Sequence, residues 1–169
     1  MYYLAVRQFA RSLKNLDALL EKAQQFAKER GFDVNNFCSM RLFPDMLPFL
    51  AQVRIACDGA KTTASVLAGK DPPRHEDNET TVEELRGRIG KCLAYLDTFR
   101  AEDFSRTTPD TVCKLTYPPG KALKANEYLL GRQLPNFYFH ITTAYDILRH
   151  GGVALGKGDY LGALELIDG

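Results

Sequence analysis

Apolar residues recur three and four positions apart in four separate segments, and this spacing limits the fold of the chain more than any other feature of its sequence. Such spacing places the apolar side chains on one face of an α-helix. We therefore predict helices over residues 2–30, 45–68, 81–101 and 135–150. In the first of these segments the apolar residues are Phe9, Leu13, Leu16, Leu20, Ala23 and Ala27.

Each apolar face needs another surface to pack against, and four faces together can enclose one core. The sequence therefore predicts an all-α fold, an antiparallel four-helix bundle formed by one domain over residues 1–169. An irregular helical array, with a β-hairpin as a second layer, is the structural alternative.

Local signals mark the ends of these helices and one irregular insertion. Gly31 suits a position just beyond the first helix, and the step from Thr81 to Glu84 fits a capping box. Residues 101–134 form too long a connection for a simple bundle. Because Cys113, Leu115 and Tyr117 alternate with polar residues, a small β-hairpin or irregular insertion is expected between helices 3 and 4. The tail at 160–167 either docks as one more turn or remains loose.

The charge balance argues against several classes of partner. The 22 Lys and Arg residues face 21 Asp and Glu residues, for a formal net charge of +1. A nucleic-acid-binding protein usually has a basic excess, and the nearest approach to one is Arg86, Arg88 and Lys91, which we interpret as a solvated helix face. No apolar run reaches the length of a membrane span. We therefore predict a cytoplasmic protein that binds neither nucleic acid nor membranes.

The four cysteines form no CxxC pair, so the sequence contains neither a zinc ribbon nor a thioredoxin-type motif. Cys57 and Cys92 are predicted to be small apolar residues in helix cores. Whether Cys38 or Cys113 is a reactive thiolate stays open.

Of the three histidines, His140 is the most informative. His75 lies in a polar linker, where we expect it to be solvated, and His150 ends a helix. His140 flanks an apolar stripe, so its ring should be partly buried and its nitrogens need partners. Asn136 and, on the second helix, Gln52 or Asp58 are the candidates.

The same residues define a candidate pocket. A hydrogen-bonded core histidine is the favoured interpretation, and His140 is a weak candidate for a metal ligand. A catalytic zinc site needs three protein ligands, and the chain has no HxxxH or HExxH pair, so no metal or other cofactor is expected, a weakly held divalent metal being the exception. Tyr145 and its aromatic neighbours are candidates to line a small-molecule pocket, although plain core packing is the favoured role.

Three stretches of the chain resemble a family of unknown function that is grouped with the DinB/YfiT-like proteins. They are residues 41–48 (RLFPDMLP), 52–61 (QVRIACDGAK) and 135–153 (PNFYFHITTAYDILRHGGV). The resemblance implies a DinB/YfiT-like four-helix bundle. Some proteins of that group bind a divalent metal through three histidines and act as thiol transferases or hydrolases.

The resemblance also implies where the metal site of that group would fall. The fourth helix of the group has an HxxxH pair, and an Arg in a Leu-Arg step follows nine residues after the second His. Here Leu148-Arg149 lies nine residues after His140, so His140 matches that second His. The first His falls at Asn136 and the third near Gln52, so two of the three ligands depart from the pattern.

Three functional hypotheses follow. The first is a DinB-like bundle with a degraded metal site that binds a small molecule or associates with a second copy of itself. The second is a divalent-metal-dependent thiol transferase or hydrolase that uses Gln52, Asn136, Asp58 and His140. The third is a structural helical partner for another protein.

Overall fold

The fold was determined as a computed structural model, which describes residues 1–167 and 169. The described part of the chain contains four long helices: α1 (Tyr2–Arg30), α2 (Phe49–Leu67), α3 (Val82–Leu96) and α4 (Leu134–His150). Short 3₁₀ turns cover Val34–Ser39 and Ala101–Phe104. The long helices pack side by side around one apolar core, and the predicted four-helix bundle is confirmed.

Helix α2 lies at the centre of the packing, in contact with α1, α3 and α4. Its core-facing positions include Ala56, Ala60 and Ala64, all fully buried. Small side chains allow neighbouring helices to approach closely, so α4 packs along α2 over most of its length. Gln52 contacts His140 and Gly59 faces Asn136, an order that makes α2 and α4 antiparallel.

The helix ends follow the local signals in part. Gly31 adopts φ 73° and ψ 35°, the left-handed cap that was predicted. At α3, Glu84 N–H donates to Thr81 Oγ1 at 3.2 Å while the Glu84 carboxylate accepts from Thr81 N–H at 3.0 Å, so the capping box is confirmed. Two boundaries were predicted wrongly. Helix α2 begins at Phe49 because Pro48 has extended backbone, and α3 ends at Leu96.

The predicted hairpin is present and consists of β1 (Val112–Lys114) and β2 (Ala122–Lys124), paired antiparallel with Cys113 opposite Leu123. A π-helical segment, Glu127–Gln133, then runs directly into α4. The sequence prediction missed this segment and began the fourth helix at residue 135. Wider π turns change which residues face the bundle, so a search for 3.6-residue periodicity does not detect them.

The C-terminal tail docks on α1 through a short helix, α5 (Lys157–Leu161). Asn15 Nδ2 donates to the carbonyl of Tyr160 at 3.0 Å, and Lys22 pairs with Asp159 at 2.5 Å. In the part of the chain that the structure describes, none of the helices is both long and apolar enough to cross a membrane.

Candidate functional site

A buried hydrogen bond joins α2 to α4 at His140. The ring nitrogen Nδ1 of His140 lies 2.7 Å from Oε1 of Gln52, and Nε2 of Gln52 donates to the carbonyl of Leu47 at 2.9 Å. Gln52 is 1% exposed and His140 is 7% exposed. Helix periodicity places both side chains on the core-facing side of their helices, so their polar atoms must find partners within the bundle.

This arrangement fixes the protonation of the His140 ring. Because the amide nitrogen of Gln52 donates to Leu47, its oxygen faces the ring and Nδ1 must be the donor. The other ring nitrogen, Nε2, then keeps its lone pair. Burial lowers the pKa of His140 below its usual 6.5, so the ring is neutral at pH 7. The site therefore has an oriented, unprotonated imidazole nitrogen.

One exposed aromatic side chain contacts this ring, and further exposed apolar side chains lie on the loop before α2. Phe139 contacts His140 edge to face with ring centroids 5.3 Å apart, and it is 56% exposed. Leu47, whose carbonyl anchors Gln52, is 49% exposed. The loop before α2, residues 40–48, also exposes Leu42 and Phe43. We call these four side chains the apolar rim.

The remaining predicted pocket residues occupy different places. Asn136 lies one turn before His140 on α4 and is exposed, and its Nδ2 is 4.0 Å from where a Cβ on Gly59 would stand. Tyr145 packs edge to face against Tyr160 of α5 with ring centroids 5.8 Å apart. Of the predicted set, the structure therefore brings Gln52 into direct contact with His140.

The grouping of Asp58 with His140 was wrong. Asp58 pairs with Arg88 of α3 at 2.7 Å and with Lys61 at 2.7 Å. Asp58 is six positions after Gln52, so their side chains point roughly 120° apart around the helix axis. Asp58 accordingly faces α3, whereas Gln52 faces α4.

Arg88 was also misjudged as part of a solvated helix face. It is 2% exposed and is bonded to Asp58, to Asp77 at 3.0 Å and to Glu79 at 2.9 Å. Burial opposes its charge, but the hydrogen bonds and charges of Glu79 and Asp58 raise its pKa above the usual value. The sequence carried no signal for this, because two of the three carboxylates come from the linker between α2 and α3.

A second buried polar group lies where the π-helical segment meets α2. Tyr128 is 1% exposed, Gln133 is 7% exposed and Thr63 is fully buried. Burial raises the pKa of Tyr128 to about 12, so its hydroxyl stays protonated. The sequence prediction missed this group because Tyr128 and Gln133 lie on the π-helical segment, and their contact with Thr63 of α2 depends on its wider turns.

The four cysteines are buried and free. Burial raises the pKa of Cys38 and of Cys113 above the usual value of 9.0. Neither thiol therefore has the lowered pKa that an activated nucleophile needs.

The donor set beside His140 does not fit a transition metal. Both polar atoms of the Gln52 amide are already engaged, one with His140 and the other with Leu47. Asn136 offers a neutral amide, which binds zinc weakly compared with imidazole, thiolate or carboxylate. Within residues 1–167 and 169, no group of three or more His, Cys, Asp or Glu side chains lies close enough to hold a metal ion.

Comparison with known proteins agrees with this architecture. A DinB family member protein from Shewanella denitrificans, known from a crystal structure, shares 42% sequence identity with this chain. The two structures superimpose with a TM-score of 0.93. The match covers 99% of this chain and 95% of that protein. No functionally curated protein matches. The fold is thus that of a DinB-like helical bundle. The chain belongs to the DUF1993 family, a domain of unknown function, whose profile matches residues 1–161.

Proposed function

We propose that this DUF1993 protein binds a small organic molecule beside His140, where α2 and α4 meet at the surface, and that binding requires no metal. One observation carries the proposal: the hydrogen bond between Gln52 and His140, with the amide anchored on Leu47. This contact fixes the tautomer of a neutral ring and leaves Nε2 as an acceptor.

The chemistry of the site defines the class of ligand. A neutral imidazole nitrogen accepts a hydrogen bond from a hydroxyl or an N–H group. Phe139, which contacts the ring, and Leu47, whose carbonyl anchors Gln52, are both exposed and offer apolar surface to the rest of the molecule. Ligand sites commonly combine apolar walls with a few fixed polar groups. The expected ligand is therefore an uncharged molecule with one hydrogen-bond donor and an apolar ring or chain.

The metal-dependent alternative receives less support from the same geometry. A metal on Nε2 of His140 would need two further ligands, and the Gln52 amide is held by other partners. An enzyme of the thiol-transferase or hydrolase type would require a different donor set at positions 52 and 136.

A matched pair of probes tests the proposal. The phenol 4-methylphenol has both a donor and an apolar ring, and 4-methylanisole has the ring without the donor. We expect 4-methylphenol to shift the ¹⁵N resonance of His140 Nε2 in NMR spectra of the full chain, and 4-methylanisole to have little effect. Elemental analysis of protein prepared without chelator should find no stoichiometric metal.

Two variants at exposed residues, one a test and one its control, check where the ligand binds. Phe139→Ser removes apolar surface beside the ring and should weaken 4-methylphenol binding, whereas Leu130→Ser, at a residue 50% exposed on the π-helical segment, should not. Stoichiometric metal that His140→Ala abolishes would contradict the proposal. So would a dimer that Phe139→Ser dissociates, because the apolar rim would then be covered by a second copy of the chain.

A further inference from the structure

The linker between α2 and α3 lies over these helices and forms one wall of a cavity of about 270 Å³. Arg74, His75 and Glu79 of the linker line it together with Arg88 and Lys91 of α3. This cavity is separate from the His140 site, because it lies on the α3 side of α2 and the His140 site lies on the α4 side.

Arg88 is the buried centre of this cavity. Its two terminal nitrogens are occupied by Asp58, Asp77, Glu79 and the carbonyl of Glu76. Its Nε is enclosed, and within residues 1–167 and 169 no atom accepts a hydrogen bond from it. A guanidinium N–H is always a donor, so this atom calls for an acceptor.

His75 also lines the cavity, and one of its ring nitrogens is a second enclosed polar atom. The sequence predicted a solvated ring, but His75 is half-buried, and its Nδ1 has no hydrogen-bond partner in the described part of the chain. Burial, followed by the charges of Lys61 and Arg88, lowers the pKa of His75 against the opposing effect of Asp58, while Lys91 adds to the lowering. A neutral ring in this cationic setting can donate through Nδ1 to an anion.

The charged side chains that line the cavity are three cations, Arg74, Arg88 and Lys91, and two carboxylates, Glu76 and Glu79. Glu76 is exposed, and its carboxylate accepts from Nδ2 of Asn78 at 3.3 Å. Arg74 and Lys91 are exposed at its edge and have free cationic groups to offer. Glu79 lines the cavity too, but Arg88 at 2.9 Å and Arg54 at 2.9 Å already engage its carboxylate. Asp58 Oδ1 lies at ion-pair distance from Lys61, so its charge is also met.

From the enclosed donors of Arg88 and His75 and the cationic edge, we infer that this cavity binds the oxyanion of a small molecule, a phosphate or carboxylate group. The oxyanion accepts from Arg88 Nε and His75 Nδ1, and Arg74 and Lys91 hold it from the solvent side. Charged hydrogen bonds of this kind are the strong ones in proteins.

The experiment follows His75 by NMR in the full chain, with inorganic phosphate, acetate and chloride compared at equal ionic strength. A bound anion stabilises the protonated ring, so the pKa of His75 should rise in the presence of the anion that binds. A rise with phosphate assigns a phosphate group, and a rise with acetate assigns a carboxylate. An unchanged pKa in both, relative to chloride, would overturn the inference.

Substitution of buried Arg88 would endanger folding, so the test uses variants at exposed residues. Arg74→Gln combined with Lys91→Gln should weaken binding of the effective anion by about threefold or more. Lys28→Gln, which removes an exposed positive charge on α1, should leave it within about twofold. Equal affinity in the two variants would mean that the anion binds elsewhere, and the inference would fail.

Discussion

Replacing Gln52 by leucine tests the contact on which the His140 site depends. The substitution keeps the approximate size of a side chain that is 1% exposed, but it removes both hydrogen-bonding atoms. The His140 Nδ1–H and the Leu47 carbonyl each lose a partner. The fold of α2 should persist, because leucine is a good helix former.

The two lost hydrogen bonds do not cost the same. His140 is 7% exposed, so its orphaned N–H costs about 1–3 kcal/mol. The hydrogen bond to the Leu47 carbonyl is only partly buried, so water can replace the amide there at a smaller cost. The apolar side chain of the new leucine offsets about 1 kcal/mol. We expect a net decrease of up to about 2 kcal/mol in the free energy of unfolding. For a chain of this size, a decrease of about 2 kcal/mol lowers Tm by about 4–8 °C.

Urea unfolding followed by circular dichroism measures the change. Gln8→Leu is the control, because Gln8 is exposed on α1 and its substitution should change stability by at most about 0.5 kcal/mol. Histidine ¹⁵N shifts report the tautomer directly, and the Nδ1–H form should lose its dominance in Gln52→Leu. If Gln52→Leu matches the control in stability and the tautomer is unchanged, the reasoning is refuted.

Two further predictions concern the same ring. Because burial holds the pKa of His140 below 6.5, the unfolded chain binds more protons as pH falls through 6.5, so stability should fall as pH decreases. Between about pH 7.5 and 5.5, urea unfolding should show a smaller loss for His140→Gln than for the wild type, and equal slopes would contradict this. Asn136→His creates an HxxxH pair with His140, whose Nε2 is free to ligate, so isothermal titration calorimetry should detect weak zinc binding by two histidines that the wild type lacks. No gain would mean that Nε2 does not face residue 136.

Part of the candidate site was accessible from the sequence. The apolar stripe of α4 places His140 at the edge of the core, and the DinB-like pattern points to position 52 on α2 as its neighbour. These inferences work because helix periodicity and an antiparallel pairing fix which residues can meet. Asp58 was wrongly grouped with His140, although the helical period already places a residue six positions after Gln52 on a different face of α2.

The sequence by itself determined the long helices, the capping box at Thr81, the glycine cap at Gly31 and the hairpin, because each depends on residues close together in the chain. Only the tertiary structure decided that Arg88 is buried, since its carboxylate partners on α2 and in the linker meet only after folding. The π-helical segment and the neutral tautomer of His140 were decided in the same way. Burial and hydrogen bonding of a polar group depend on distant partners, which local spacing does not encode.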